Sequence, residues 1–562
     1  MSSKVRRDYT PYIVLSLPVL FLSVFLFVPL GVTFLRAFAG PGFGIDLQAL
    51  SLENFFRFGE SRLYQRALRN SLLVSTTATL FSVLIGVPMA YIAARVPIPF
   101  RRVVLSLGVL PIITPSFVAA FSWVIMLGRQ GVLRLMINRI LSVVGLEIPS
   151  IYGIGGVVFV MTVTYYPFVF LLVYGAFRSA NPLLEQAASI MGATRWRITR
   201  TVTLPLVLPS IGAGAILVFI LALGDFGVPA VIGGDQYVLP TLIYFRVSGF
   251  WDLNGAAAIA MVSMVITGGA LFLQKYVISR REYESLGNAR PEELEHRGFA
   301  WRAVGTLFCS IVLVVSLLPQ ISMAIMSFFT HWRGLFPTGF TLSNYLAIPQ
   351  VAGPSIRNSL FMATTASLAT AVIGCLVAYI TARRKPPGSA ILDFAVMAPF
   401  ILPGTVIAVA ILAAFGQGPV IAIGGTYLII IISFVIRRTP YTFRSVVASL
   451  TQLDPKLEES SIVSGASWFY TFRRVSLPLI LNGVISGTVL TFATLLQELS
   501  TTILLYSART RTVPVLIYGR VADGRFGEAS ALAVLLIATV FVVVYLTNRL
   551  LGTSFASSFR LG

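Results

Sequence analysis

The chain has 562 residues with 42 Lys+Arg against 21 Asp+Glu, a formal charge of +21, yet only 11% of its residues are charged and 56% are hydrophobic. An ordinary globular domain carries roughly 25% charged residues, so this composition, with mean hydropathy +0.87, excludes an ordinary soluble enzyme. The basic residues are spread between apolar runs instead of clustered, which speaks for membrane topology and against a nucleic-acid partner.

A membrane span needs about 20 mostly apolar residues. In chain order the apolar runs place spans at 11–36, 70–94, 103–127, 151–177, 205–228 and 255–277, then at 303–329, 358–382, 391–416, 424–436, 478–505 and 528–548. The first run follows Lys4, Arg6 and Arg7, and Ala37-Phe38-Ala39 beyond it imitates a signal-cleavage site. It is longer than a signal core of about 7–15 residues and reads as a retained first span. The tenth is the weakest, because Arg437 and Arg438 cut it short, and both an earlier start and an extension past them stay open. Two Cys and two His cannot build a metal centre or a disulfide framework. Cys309 and Cys375 lie in apolar runs and read as small packing residues; His296, in a polar linker, and His331, at a span end, read as surface residues.

With both termini cytoplasmic, 27 of the Lys+Arg residues fall in inner segments and 15 in outer ones, and Lys4, Lys275, Lys385 and Lys456 all lie inside. That orientation satisfies the positive-inside bias.

The stretch 70–95, NSLLVSTTATLFSVLIGVPMAYIAAR, returns at 358–383 as NSLFMATTASLATAVIGCLVAYITAR, with 14 of 26 residues identical. Further on the offset is 273: Pro167 meets Pro440, Asn181-Pro182 meets Asp454-Pro455, and Gly192-Ala193 meets Gly465-Ala466. PTLIYFRV from Pro240 then matches PVLIYGRV from Pro514. Polar, Gly and Pro matches in constant order mark a duplication, with residues 1–277 and 303–562 as six-span halves joined by a polar cytoplasmic linker, 278–302. An even number of spans per half makes the repeats parallel, related by an axis along the membrane normal, with a solute path between them.

Between the fourth and fifth spans runs LEQAASIMGATRWRITRTVTLPLVLP (184–209), and between the tenth and eleventh LEESSIVSGASWFYTFRRVSLPLILN (457–482). Asn181 or Asp454 caps a short amphipathic helix begun by Pro182 or Pro455. Gly192 or Gly465 ends it, and Leu204-Pro205 or Leu477-Pro478 opens the next span. These residues resemble the EAA motif of ABC-importer permeases, in which Glu-Ala-Ala, a Gly six positions after the Glu and a later Leu-Pro form a coupling helix. Glu459 and Gly465 hold that spacing behind Glu458, with Ser460-Ser461 in place of the alanines. Gln186 takes the Glu position of the first copy, with Glu185 one residue early and Ala187-Ala188 intact.

Over nearly its whole length the chain is similar to the fused permeases of ferric-iron importers, with thiamine, phosphonate, sugar-phosphate and polyamine importers as alternatives. LGDFGVPAVIGG (223–234) and LQELSTTILLY (496–506) carry further likeness. The resemblance implies an all-α polytopic membrane protein of the type I importer fold, in a bacterial inner membrane. It also implies two copies of a cytoplasmic ATPase on the helices around Glu185 and Glu459, a solute-binding protein outside, and alternating access. No Gly-x-x-x-x-Gly-Lys-Ser/Thr occurs, since none of the four lysines follows a Gly. ATP and Mg are therefore expected on the partner ATPase, with no cofactor or metal on this chain and no catalytic residue. An ion-coupled transporter also uses duplicated halves and intramembrane acids, and a channel is a third class; the doubled cytoplasmic motif favours the ATP-driven reading over both.

Asp225 and Glu498 lie at the same offset of 273 in the fifth and eleventh spans. Carboxylates inside spans are costly and face a cavity or a partner. At 1.5 Å per residue, Asp225 stands about 30 Å from Pro205, toward the outer interface. Gly224, Gly227 and Pro229 suggest a broken helix there, and Arg246 and Arg520, matched across the halves, are the expected partners of the two acids. Tyr165, Tyr166, Tyr174 and Tyr379 read as packing or interface anchors. Arg57, Arg62, Arg66 and Arg69 form a basic outer segment open to a binding protein or to solvent.

Overall fold

The computed structural model describes residues 10–40, 50–180, 182–274, 299–332, 336–417 and 421–551. Lys4, Asn181, Lys275, His296 and most of the 278–302 linker lie outside the described residues. Each of the twelve apolar positions holds a helix or a bent helix pair. The first copy runs α1 (Ile13–Ala37), α2 (Arg62–Arg95), the pair α3 (Arg101–Ile113) and α4 (Ser116–Leu127), α5 (Ile154–Ser179), α6 (Pro182–Ile190), α7 (Trp196–Gly224), α8 (Gly227–Ile232), α9 (Leu239–Phe250) and α10 (Leu253–Leu273). The second runs α11 (Phe299–Met326), α12 (Ile348–Arg383), the pair α13 (Ser389–Ile401) and α14 (Gly404–Phe415), α15 (Tyr427–Thr451), α16 (Lys456–Val463), α17 (Trp468–Leu496), α18 (Thr502–Leu505), α19 (Val513–Ala522) and α20 (Phe526–Leu551). Between α11 and α12 a two-stranded antiparallel hairpin, β1 (Phe329–Trp332) and β2 (Pro337–Phe340), pairs the exposed His331 with Thr338.

Three features depart from the hydropathy reading. The tenth span does not stop at Arg437: α15 continues unbroken to Thr451, because both guanidiniums find a carboxylate inside the protein. The third and ninth spans are not straight, bending by 100° and 110°. Pro disfavours the helical region in the residue before it and removes a backbone donor. Thr114 and Leu402 are accordingly extended (ψ 124° and 128°), as are Pro115 and Pro403 (ψ 138° and 142°). The fifth and eleventh spans begin before their Leu-Pro, at Trp196 and Trp468. Pro205 and Pro478 have no N–H for the α ladder, and π-helical turns at Thr199–Thr203 and Phe472–Ser476 absorb the misfit at equivalent places.

Helices in lipid gain little from apolar burial between them and associate by close packing at small residues. A Cβ on Gly86 of α2 would lie 2.9 Å from Val169 Cβ of α5; on its equivalent Gly374 of α12 it would lie 3.1 Å from the Phe443 backbone N of α15. Gly214 of α7 and Gly487 of α17 bring those helices close to α5 and α15 in the same way, the second more tightly. Each copy lends its first helix to the other. Phe25 of α1 packs on Phe415 of α14 with ring centroids 5.5 Å apart. Reciprocally, Gly305 of α11 abuts Ile92, and Ser316 Oγ donates to Tyr166 OH at 3.0 Å. Cys309 and Cys375 are buried among apolar neighbours, as expected of packing residues.

Candidate translocation cavity and coupling helices

A cavity of about 250 Å³ opens where the two copies meet, lined by both bends, by the ends of α7 and α17, and by α5 and α15. The copies touch at its wall: a Cβ on Gly224 would lie 3.3 Å from Pro403 Cα. Asp225 and Glu498 both line it and are each 5% exposed.

α7 ends at Gly224, Asp225 is extended (φ −73°, ψ 120°) and α8 starts two residues later, which is the broken helix the glycines suggest. The Val228 N–H donates to Asp225 Oδ1 at 3.1 Å, and the Tyr165 hydroxyl makes a very short hydrogen bond to Oδ2. Glu498 repeats the cap, accepting from the Thr501 N–H at 3.1 Å. Its other partners are the Thr501 hydroxyl, 3.2 Å from Oε1, and two guanidiniums: Arg437 Nη1 on Oε1, and Arg438 Nη2 on Oε2 at 2.6 Å. Arg437 also donates to Thr501 Oγ1 (2.8 Å) and Arg438 to Tyr441 OH (3.1 Å).

The expected pairing of these acids with Arg246 and Arg520 is incorrect. Arg246 pairs with Asp252 at 3.5 Å and Arg520 with Glu528 at 3.2 Å. Trp251 takes a left-handed turn (φ 55°) that folds Asp252 back onto Arg246, where it also caps α10 through the Gly255 N–H. A partner six residues away thus takes the arginine before a distant carboxylate can. Nor are the two acids solvated at an outer edge; the bends of α3–α4 and α13–α14 wall them in.

Sequence reasoning read Tyr165 as a packing or interface anchor and Arg437 and Arg438 as an interruption of the tenth span, and gave none of them a site role. The signal was present: at the repeat offset Arg437-Arg438 stand where the first copy has Thr164-Tyr165. Charges placed opposite polar residues inside an apolar run mark a polar wall and not the end of a span.

The repeated motif forms α6 and α16, each ended by a glycine at positive φ, Gly192 (81°) and Gly465 (89°). Asp454 Oδ1 accepts from the Lys456 N–H at 3.0 Å at the start of α16. The acids that fix these helices are Glu185 and Glu458. Glu185 Oε1 accepts from Arg95 Nη2 (3.1 Å) and Thr203 Oγ1 (3.0 Å). Glu458 meets Arg383 Nε (3.4 Å), Ser476 Oγ (2.8 Å) and Tyr379 OH (3.2 Å). Each ties its helix to the end of the second span of its copy and to the start of the fifth. Gln186 is half-buried and Glu459 exposed, while Ala187, Leu204 and Pro478 are exposed and Pro205 and Leu477 partly so. Ile190, Met191 and Val463 are each 87% exposed, an apolar tip on both helices. Arg57, Arg62, Arg66 and Arg69 are all exposed, and Arg57 pairs with Glu53.

Two segments, 82–283 and 370–556, match the family described as binding-protein-dependent transport system inner membrane component. A chain with two such segments, joined around one cavity and carrying paired surface helices, is a multi-pass membrane transport component and not an enzyme. It belongs to that inner-membrane permease family. It is 30% identical over 501 residues to the ferric transport system permease protein FbpB of Actinobacillus pleuropneumoniae, covering 87% of this chain and 71% of the relative. A putative ferric transport system permease protein FbpB 1 of Haemophilus influenzae is 32% identical over 459 residues, covering 79% and 71%. A putative 2-aminoethylphosphonate transport system permease protein PhnV of Salmonella typhimurium is 26% identical over 251 residues, 44% of this chain and 94% of the relative. Among solved structures, a chain of a bacterial alginate ABC transporter in complex with an alginate-bound periplasmic protein matches half of this chain at 20% identity and TM-score 0.40.

Proposed function

We propose that this chain is the permease subunit of an ATP-driven importer of ferric iron delivered by a solute-binding protein. The observation that carries the reading is the pair of relatives named as ferric transport permeases, which align with this chain across both copies. In this reading α6 and α16 face the cytoplasm, as do both termini, and each docks one copy of a separate ATPase. Nucleotide and Mg reside on that ATPase, and this chain binds no cofactor of its own. Closure of the ATPase pair pushes α6 and α16 together. Glu185 and Glu458 pass the push to the second and fifth spans of each copy, which open the cavity outward, and hydrolysis resets them, a rigid-body alternation between two states.

The test is uptake of labelled ferric iron into vesicles holding this chain with its ATPase and binding protein, with Gly192→Pro plus Gly465→Pro as the comparison. ATP-dependent accumulation that the double variant loses supports the proposal. ATP hydrolysis without iron uptake moves the cargo to another class, with an organophosphonate first. Uptake without the ATPase overturns the mechanism.

A further inference from the structure

The cavity has an imbalance of hydrogen-bonding groups that bears on what it can hold. Among the described residues four charged side chains line it, Asp225, Arg437, Arg438 and Glu498, so the formal charges cancel and net charge does not select the cargo. Hydrogen-bonding capacity does not cancel. All four carboxylate oxygens are engaged: those of Asp225 by Tyr165 and the Val228 N–H, those of Glu498 by both guanidiniums and Thr501. Each guanidinium has five N–H donors and no acceptor. Among the described residues Arg438 Nε is buried without an acceptor, and Arg437 spends only Nη1, on Glu498 and Thr501.

Backbone donors add to the surplus. The α3–α4 bend brings the start of one twelve-residue helix, α4, to the cavity, where Ser116 and Phe117 line the wall. First-turn N–H groups have no partner within their own helix and carry the positive end of its dipole. A bare trivalent cation entering here finds donors facing it and must strip a carboxylate from its existing partners. A cargo with oxygen atoms on its outside finds donors already in place.

Resting on the iron-import reading above, we infer that the cavity receives iron as an oxyanion-bearing complex, its carboxylate or phosphate oxygens bound by Arg437 and Arg438, and not as a bare cation. Half the recognition is absent from the first copy, where Thr164 and Tyr165 replace the arginines. The complex therefore enters in one orientation, its anionic face toward α15.

The test uses the complete permease–ATPase complex in lipid nanodiscs and two probes, radiolabelled citrate and radiolabelled pyrophosphate, measured by equilibrium dialysis, with iron uptake into vesicles measured in parallel. We expect saturable binding of at least one probe, weakened tenfold or more in both Arg437→Gln and Arg438→Gln. Arg525→Gln, at an exposed arginine that does not line the cavity, should bind as the intact complex does. Which probe binds distinguishes a carboxylate ligand from a phosphate one. Arg438→Lys keeps a charge on Glu498 while losing the planar fork, so it serves where the Gln variants do not fold, and it should also bind more weakly. Binding of neither probe, or binding indifferent to all three α15 variants, overturns the inference. Arginine-dependent binding without iron uptake in the vesicles supports the oxyanion cavity while refuting iron as the cargo.

Discussion

Arg95 and Glu185 test how a residue can matter to transport without touching cargo. The Arg95 side chain is 1% exposed, and Glu185 is the carboxylate that the described residues offer it. Removing one partner of a buried pair strands the other charge and costs about 3 kcal/mol. Glu185→Ala should therefore lower the thermal unfolding midpoint of the purified permease markedly. Glu458→Ala should cost nearer 1 kcal/mol, because Arg383 keeps the Leu450 and Leu453 carbonyls at 3.0 and 2.9 Å. Equal losses in the two variants would refute this ranking, and Arg95→Met with Glu185→Leu should recover most of the stability. The anchor was half legible in the sequence. Arg95 and Arg383 close the longest repeated stretch, and Glu185 and Glu458 share the 273 offset, yet the motif spacing drew attention to Gln186 and Glu459 instead. The Asp225–Arg246 expectation failed for a related reason. Repeat symmetry identifies which residues are equivalent but not which are neighbours, and a left-handed turn at Trp251 supplies Arg246 with Asp252 first.

At the scale of elements, each of the twelve apolar runs holds a helix or a bent pair, but hydropathy saw neither the bends nor the apolar helix α19 (Val513–Ala522). A window average is blind to Pro115 and Pro403 because proline changes direction without changing polarity. The same average put a break at Arg437 and left open whether the helix passes it, since it cannot know that a helix keeps its arginines when carboxylates await them. Helix contacts depend on glycines that hydropathy also ignores. A Cβ on Gly487 would stand 2.8 Å from Thr442 Cα, a backbone atom that cannot rotate aside, whereas on Gly214 it would stand 3.2 Å from Val169 Cα. Overpacking of this kind costs about 1–3 kcal/mol. Gly487→Ala should thus destabilise the α15–α17 contact, read as a lower unfolding midpoint in detergent, and Gly214→Ala should destabilise α5–α7 less. A larger loss from Gly214→Ala would show that α15 and α17 separate more easily than their backbones suggest.

For the whole molecule, the exchange of α1 and α11 binds the copies at their periphery, while at the cavity they meet through the contact of Gly224 with Pro403. Alternating access requires that central seam to open while the exchanged helices hold. The positions suit a cross-link: a Cβ on Gly224 would lie 3.3 Å from Pro403 Cβ, just below the roughly 3.5–4.5 Å that a disulfide spans. With Cys309 and Cys375 replaced by Ala, Gly224→Cys plus Pro403→Cys should form a disulfide under mild oxidant and lose cargo accumulation, and reduction should restore it. Recovery on reduction separates the lock from damage by the substitutions themselves. Transport at an undiminished rate with the disulfide fully formed would mean that the copies do not part here. The moving elements would then be the α3–α4 and α13–α14 bends inside each copy, leaving the seam as a fixed axis about which they swing.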